Sequence, residues 1–327
     1  MHAVIDLDLY KYHAAAAGEK RDVLVEHPTT GYSTVVKNRT EFYGHYLKKA
    51  GGVLAEINKD RISPYLPDEF VYTDRQHPEP IENVLHTAKV MVKKDLAASG
   101  ATKWHGYIGE GDSWRVERST ILKYKGSREN LIKPLYLQEV SEYLKNKFNG
   151  IVVRHWEADE AIVMDCYKQY TKYAIFEDKD YWGCPINAWD INQPQRGIVN
   201  CNKFGHLFID GKGKVRGEGR IWLYHQICSG DDVDCYTANS ASDVKWGEKS
   251  SYNALKDCKS DDEAFAAMVG VYKNLYPVEK TITGWRGDSI VIDWKYVLEE
   301  NFQMARMYRS VDDHVSIVNV LSNKGIL

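Results

Sequence analysis

The sequence has no apolar run approaching the ~20 residues that a membrane-spanning helix requires. Acidic Asp6 and Asp8 interrupt the stretch where a secretory signal would keep its apolar core. Both absences point to a cytoplasmic protein. The six cysteines, Cys166, Cys184, Cys201, Cys228, Cys235 and Cys258, contain no C-x-x-C pair. A chain of 327 residues does not depend on disulfides for its core, so reduced thiols are expected. A formal charge of −3 carries no overall basic signature, and any nucleic-acid function must rest on local basic patches. Neither internal repeats nor low-complexity tracts occur.

What is present is the composition of a folded globular protein, 43% hydrophobic. Short β-type runs occur at Ala3–Leu7, Trp104–Ile108, Ile151–Arg154 and Tyr173–Phe176, with helical patterns between several of them. That alternation predicts an α/β fold with a central, mostly parallel sheet flanked by helices. The clearest helix follows Pro134, where Leu135, Val140, Tyr143, Leu144 and Phe148 recur at helical spacing before the stop signal Asn149-Gly150. Hairpins are expected at Val23–Val36, turning near Thr29–Gly31, and at Gly197–Asp210, turning near Asn202–Gly205. From Asp231 onward the chain becomes helical and polar, which suits a smaller helical lobe.

The acids are the most regular feature. Asp6 and Asp8 close the first strand, Glu110 and Asp112 follow the second, Glu157, Asp159 and Glu160 the third, and Asp178 and Asp180 the fourth. Asp231, Asp232 and Asp234 come after the apolar run Ile221–Ile227. In open α/β sheets, functional groups gather at the carboxyl ends of strands. Each acid singly also suits helix capping, but so many carboxylates at one edge repel one another unless cations or protons neutralise them. Oxygen ligands without a His or Cys set favour hard ions, Mg²⁺ or Mn²⁺, and two such ions suit phosphoryl chemistry.

These residues also carry a resemblance. Trp156-Glu157-Ala158-Asp159-Glu160-Ala161 resembles the E-A-D-D segment of flap endonucleases and podovirus 5′-to-3′ exonucleases, Asp178-Lys179-Asp180 their D-x-D, and Gly230-Asp231-Asp232-Val233-Asp234 their G-D-x-x-D. Asp6 fits the first metal-binding aspartate and Glu110 the second acidic position. Trp114–Glu117 followed by Tyr124-Lys125-Gly126-Ser127-Arg128 is similar to the R-x-E…Y-K-x-x-R segment of the helical gateway, near 112–150, and Gln303–Met307 is similar to the phage exonuclease branch.

The resemblance implies a PIN-like catalytic domain over 1–228 and a helix-three-turn-helix-like lobe over 229–327. It implies a bacteriophage enzyme of replication or recombination, monomeric, that hydrolyses DNA or an RNA–DNA hybrid from 5′ ends or flaps. Two Mg²⁺ or Mn²⁺ ions would lie among Asp6, Glu110, Glu157, Asp159, Glu160, Asp178, Asp180, Asp231 and Asp234, with Asp8, Asp112 and Asp232 behind them. Tyr124, Lys125 and Arg128 would act at the scissile phosphate, since Arg gives phosphate a two-pronged contact and Lys a point charge. Arg115, Lys123, Lys245, Gly247, Lys249 and Ser250 would contact DNA, with K⁺ in the helical lobe.

Glu160, Glu110 and Phe176 depart from the residues the family prefers, Asp, Asp and Ser, and the Gly-rich hairpin of the lobe is reduced to Gly247. Two other enzymes compete. Val4–Asp8 also reads as the D-x-D of a haloacid-dehalogenase-like phosphatase with Asp6 as nucleophile, and a PIN-type ribonuclease shares the acid cluster. A non-catalytic DNA-structure-binding relative is disfavoured by the repulsion among the acids.

Overall fold

The computed structural model describes residues 1–44 and 51–327. The chain begins with β1 (His2–Asp6), α1 (Leu7–Ala17), β2 (Glu19–Glu26), β3 (Ser33–Val36), α2 (Arg39–Tyr43) and α3 (Val53–Asn58). It continues through β4 (Val71–Pro78), α4 (Ile81–Ala98), β5 (Lys103–Ser113), α5 (Trp114–Arg118), α6 (Leu137–Lys147), β6 (Gly150–His155), α7 (Ala158–Lys168) and β7 (Lys172–Phe176). Then come β8 (Asn187–Asp190), β9 (Val199–Asn200), β10 (His206–Ile209), β11 (Val215–Glu218), α8 (Arg220–Ser229), α9 (Glu248–Leu255) and α10 (Asp261–Leu275). The last elements are β12 (Lys280–Thr283), β13 (Ser289–Ile292), α11 (Trp294–Ala305) and α12 (Ile317–Asn323).

The larger of two compact units comprises 1–10, 90–132 and 141–327. Its sheet runs β6-β5-β1-β7-β8-β9, parallel throughout except for the edge strand β9. The four sequence-predicted strands therefore lie side by side. Strands buried on both faces read as continuous apolar runs rather than alternating ones, as Ala3, Val4, Ile5 and Tyr173–Phe176 do, all fully buried. Helix α7 packs on β1, β5 and β7 through Ile162, Val163 and Cys166. Every residue of Ile221–Cys228 is buried, so the apolar run before the late aspartates is the central helix α8, against which α9, α10 and α11 pack.

Asn149, at φ 49°, ends the turn after α6, in line with the stop read from Asn149-Gly150. The hairpin expected at Gly197–Asp210 is displaced. Residues 202–205 form a loop, and the ribbon is β10–β11, turning through Asp210–Lys214, where the Asp210 carboxylate accepts the N–H groups of Lys212 and Lys214. Gly205, at φ 84°, is required there, since a Cβ would lie 1.7 Å from the carbonyl oxygen of Glu218. The polar region after Asp231 is helical as expected but also contains the hairpin β12–β13.

The second unit comprises 11–89 and 133–140. Its antiparallel sheet, in the order β3-β2-β4, includes the hairpin predicted at Val23–Val36, and Val23, Val25, Val36, Phe42 and Phe70 form a core of its own. Among the described residues no helix is long and apolar enough to cross a membrane, and the six cysteines are free thiols.

Candidate functional site: carboxylates at the strand ends

Strand β1 delivers Asp6 to the carboxyl end of the sheet, where its Oδ1 accepts the N–H groups of Asp8 (2.9 Å) and Leu9 (3.4 Å) and caps α1. Asp8 Oδ2 in turn accepts the N–H of Gly109 on β5 at 2.9 Å. Two positions beyond β6, Glu157 is the N-cap of α7, followed in the first turn by Asp159 and Glu160. Beyond β7, Asp178 Oδ1 accepts the N–H of Asp180 at 3.0 Å and starts a 3-10 turn, Lys179–Gly183. The late acids reach the same neighbourhood through a tight loop. Gly230 ends α8 at φ 80°, where a Cβ would lie 2.4 Å from the Tyr236 carbonyl oxygen, and Asp231 and Tyr236 then exchange backbone hydrogen bonds.

Two phenols join the acid groups. The Tyr124 hydroxyl lies 2.9 Å from Glu157 Oε2 and 3.2 Å from Asp234 Oδ2. Tyr181 is 1% exposed and stacks on Phe176, and its hydroxyl has no hydrogen-bond partner among the described residues. The charges of Asp6, Asp159 and Asp178 all act on that hydroxyl. The basic groups are interleaved: Lys125 pairs with Glu157, Arg128 with Asp234 at 2.8 Å, and Lys179 with Asp231 at 2.6 Å. Lys125 stands at φ 55°, and its backbone N–H donates to the Asp234 carbonyl at 3.0 Å, so the Y-K-x-x-R turn is tied by its main chain to the late acidic loop.

Proton affinities follow this arrangement. Desolvation, reinforced by Glu157, holds Asp159 well above the usual carboxylate range, and desolvation with Asp178 does the same for Asp180. Asp234 is raised chiefly by desolvation. Burial would raise Glu157 as well, but Lys125 and Arg115 outweigh it and bring Glu157 below its ordinary value. Burial would raise Asp231 too, but the hydrogen bond and charge of Lys179 together with the N–H groups of Val233 and Asp234 bring it below its ordinary value. Burial works against a charged Lys125, yet Glu157, Asp234 and Asp159 raise it. Negative charge is thus in excess at this edge.

Several residues expected at the site are engaged by other partners. Arg115, expected on DNA, is 3% exposed. It donates to Glu160 through Nη1 and Nη2 (3.1 and 3.0 Å), to Glu157 (2.8 Å) and to the Met304 and Arg306 carbonyls (3.1 Å each). Glu160, expected on a metal, is 0% exposed, and its two oxygens accept from Arg115 and from the Trp114 indole N–H at 2.9 Å. It is the buried counter-ion of Arg115. Glu110 is drawn to the β6 side by Lys145 and by Arg154 at 2.7 Å, and the hydrogen bond from Lys145 lowers its pKa.

Lys123 pairs with Glu129 and lies 5.1 Å from the Trp285 ring. Asp112 and Asp232 are exposed. Lys245 lies exposed before α9, with Lys249 and the half-buried Ser250 on that helix. Gly247 precedes α9 with φ 175°, extended backbone that any residue adopts, which removes the conformational reason for a glycine. Sequence reasoning missed Lys179, Tyr181 and Gln226, whose amide donates to Asp180. Lys179 was visible inside D-K-D, whereas nothing local marks Tyr181 or Gln226.

Among the described residues no group of three or more His, Cys, Asp or Glu stands ready as a metal cage. Lys125, Arg128 and Lys179 hold carboxylate oxygens of the cluster. The donor chemistry nevertheless suits a hard divalent cation: oxygen-only ligands, excess negative charge, and an unsatisfied buried hydroxyl that those carboxylates face.

No protein-family model matches the sequence, and no curated protein is similar to it at a significant level. Among solved structures, the T5 D15 protein co-crystallised with metal ions is similar at 14% identity and a TM-score of 0.41, over 68% of this chain and 79% of that one. A T5 5′-exonuclease mutant gives 14% and 0.38, over 68% and 78%. The bacteriophage T5 D15 flap endonuclease in a pseudo-enzyme–product complex with DNA and metal ions gives 14% and 0.40, over 55% and 69%.

Proposed function

We propose that this chain is a divalent-metal-dependent phosphodiester hydrolase that cleaves DNA from 5′ ends or 5′ flaps. The observation that carries the reading is the crowding of Asp159, Asp178, Asp180, Asp231 and Asp234 with Glu157 at one edge of the sheet, beside Lys125 and Arg128. Carboxylates that raise one another's pKa hold a site in need of positive charge. The preference for 5′ ends rests on the motif resemblance, above all Tyr124-Lys125-Gly126-Ser127-Arg128.

Asp6, Glu157 and Asp159 would hold one Mg²⁺ or Mn²⁺, and Asp178, Asp180, Asp231 and Asp234 a second. Such ions lower the pKa of water and neutralise charge at the phosphate. The chain's own residues do the rest. Lys125 and Arg128 turn from Glu157 and Asp234 to the phosphate oxygens, which frees those carboxylates as ligands and concentrates positive charge where the transition state gains negative charge. The Tyr124 hydroxyl keeps Glu157 and Asp234 in register. In this reading residues 1–228 form the catalytic part, and Lys245, Lys249 and Ser250 in 229–327 meet the duplex backbone, giving structural rather than sequence preference.

The test is cleavage of a 5′-labelled duplex, a 5′ flap and a single strand with Mg²⁺, Mn²⁺ or EDTA, by wild type, Asp178→Asn, Asp231→Asn and Lys125→Met. Metal-dependent release of short 5′ products by wild type, lost in all three variants, is expected. Full activity in Asp178→Asn and Asp231→Asn would remove the site assignment. Hydrolysis of a small phosphate ester without any DNA cleavage would replace the reading with the phosphatase.

A further inference from the structure

The ribbon β10–β11 plays no part in the site described above, yet it concentrates positive charge. Between Ile191 and Glu218 the chain carries five Lys or Arg (Arg196, Lys203, Lys212, Lys214, Arg216) against two acids (Asp210, Glu218), a local excess of three in a chain whose formal charge is −3. Arg196 and Lys203 share the Glu218 carboxylate at 2.5 and 2.7 Å, and Arg216 pairs with Asp210 at 3.0 Å. Lys212 and Lys214, at the tip, are exposed and make no ion pair among the described residues.

Strand alternation turns Leu207 and Val215 inward and leaves His206 and Phe208 outside. Those two rings stack on each other at 5.6 Å and 27°, and Phe208 is 44% exposed, a flat aromatic platform beside the lysines. The ribbon is anchored to the turn that carries Asp180. The Gly219 N–H donates to the Trp182 carbonyl at 2.8 Å, and the Arg196 guanidinium lies 4.5 Å over the Trp182 ring.

We infer that the outer face of β10–β11 binds a single nucleic-acid strand, with Lys212 and Lys214 on its phosphates and Phe208 stacked on a base. Backbone-tracking lysines beside an exposed aromatic ring are what binding of an unpaired strand requires, and the local charge is complementary to a polyanion. The inference rests on the nuclease reading only for the polymer's identity: the strand held here is continuous with the one presented near Asp180.

The experiment is fluorescence-anisotropy titration of a labelled oligothymidine of about 15 nucleotides, in EDTA and across a salt series. The proteins are wild type, Lys212→Gln/Lys214→Gln, Phe208→Ala, and Lys93→Gln/Lys94→Gln on α4 as a charge control. The ribbon pair should lower the slope of log Kd against log salt by about 1.4, or about 0.7 per lost phosphate contact. Phe208→Ala should weaken binding about fivefold or more at an unchanged slope. The control pair should do neither, and circular-dichroism melts should match wild type.

A ribbon pair with wild-type slope and affinity overturns the inference, as does inorganic polyphosphate competing equally well against wild type and Phe208→Ala. Cleavage of a 5′ flap with Mg²⁺ by the same preparations tests the nuclease reading separately. A changed slope without cleavage leaves the ribbon and removes the nuclease, whereas cleavage with an unchanged slope removes the ribbon alone.

Discussion

Replacing Arg115 with Met should destabilise the protein by about 3–5 kcal/mol, the usual cost of removing one partner from a buried ion pair. Arg115 and Glu160 are 3% and 0% exposed, and one guanidinium serves Glu160, Glu157 and the carbonyls of Met304 and Arg306. Without it Glu160 keeps, among the described residues, the Trp114 indole at 2.9 Å and a 3.4 Å contact from the Tyr308 N–H, and both carbonyls lose this side-chain donor. Met fills much of the volume, so the loss reports charge and hydrogen bonding more than a cavity. Urea unfolding at neutral pH measures it as a shift in midpoint at constant slope. A companion variant, Arg115→Met with Glu160→Leu, should regain much of the loss because it removes the stranded charge as well. Arg115→Lys should not, since a point charge cannot reach five acceptors. A loss below about 1 kcal/mol in Arg115→Met would refute the buried-pair argument.

Further outcomes follow from the same geometry. Tyr181→Phe should raise stability in EDTA by about 1 kcal/mol, because it deletes a buried hydroxyl without a partner; a destabilised variant in urea unfolding would contradict this. Asp165, which accepts from His105 at 2.7 Å and Lys172 at 2.6 Å, is lowered to about 2 from 3.8; burial opposes the shift, but these hydrogen bonds outweigh it. A depressed carboxylate contributes stability above its unfolded pKa and loses it as pH falls through the folded one. Asp165→Asn should therefore cost roughly 2 kcal/mol at neutral pH and little at pH about 2, and equal losses at both pH values would refute the assignment. Saturating Mn²⁺ or Mg²⁺ should raise the melting temperature, by an amount worth about 2.7 kcal/mol at a hundredfold excess over Kd. Asp180→Asn should abolish most of that rise, and an undiminished rise in the variant would place the metal elsewhere.

The parallel sheet was legible because β1, β5, β6 and β7 each carry an apolar run followed by acids, so strand ends and chemistry mark each other. The hairpin β2–β3 was legible from its turn residues. Strand β4, Val71–Pro78, is polar along most of its length and pairs with β2 only through tertiary contact, and the short β8 and β9 lack a period. The ribbon β10–β11 was misplaced because Asn202–Gly205 has turn composition, yet its glycine serves a close approach to Glu218 rather than a hairpin tip. The Arg115–Glu160 pair spans 45 residues, and no spacing rule reaches that far. Glu160 and Glu157 share a helix end, but only the fold decides that one turns into the core and the other toward the cluster.

The lock around Arg115 also sets an order of events. Glu157 is held by a guanidinium that is itself held by the carbonyls of Met304 and Arg306. Its other restraints, Tyr124 and Lys125, lean on Asp234. A ribosome that has passed β8 has made all five parallel strands, yet the clasp on Glu157 still waits for more than a hundred further residues. A growing chain therefore reaches its sheet well before it completes its carboxylate cluster.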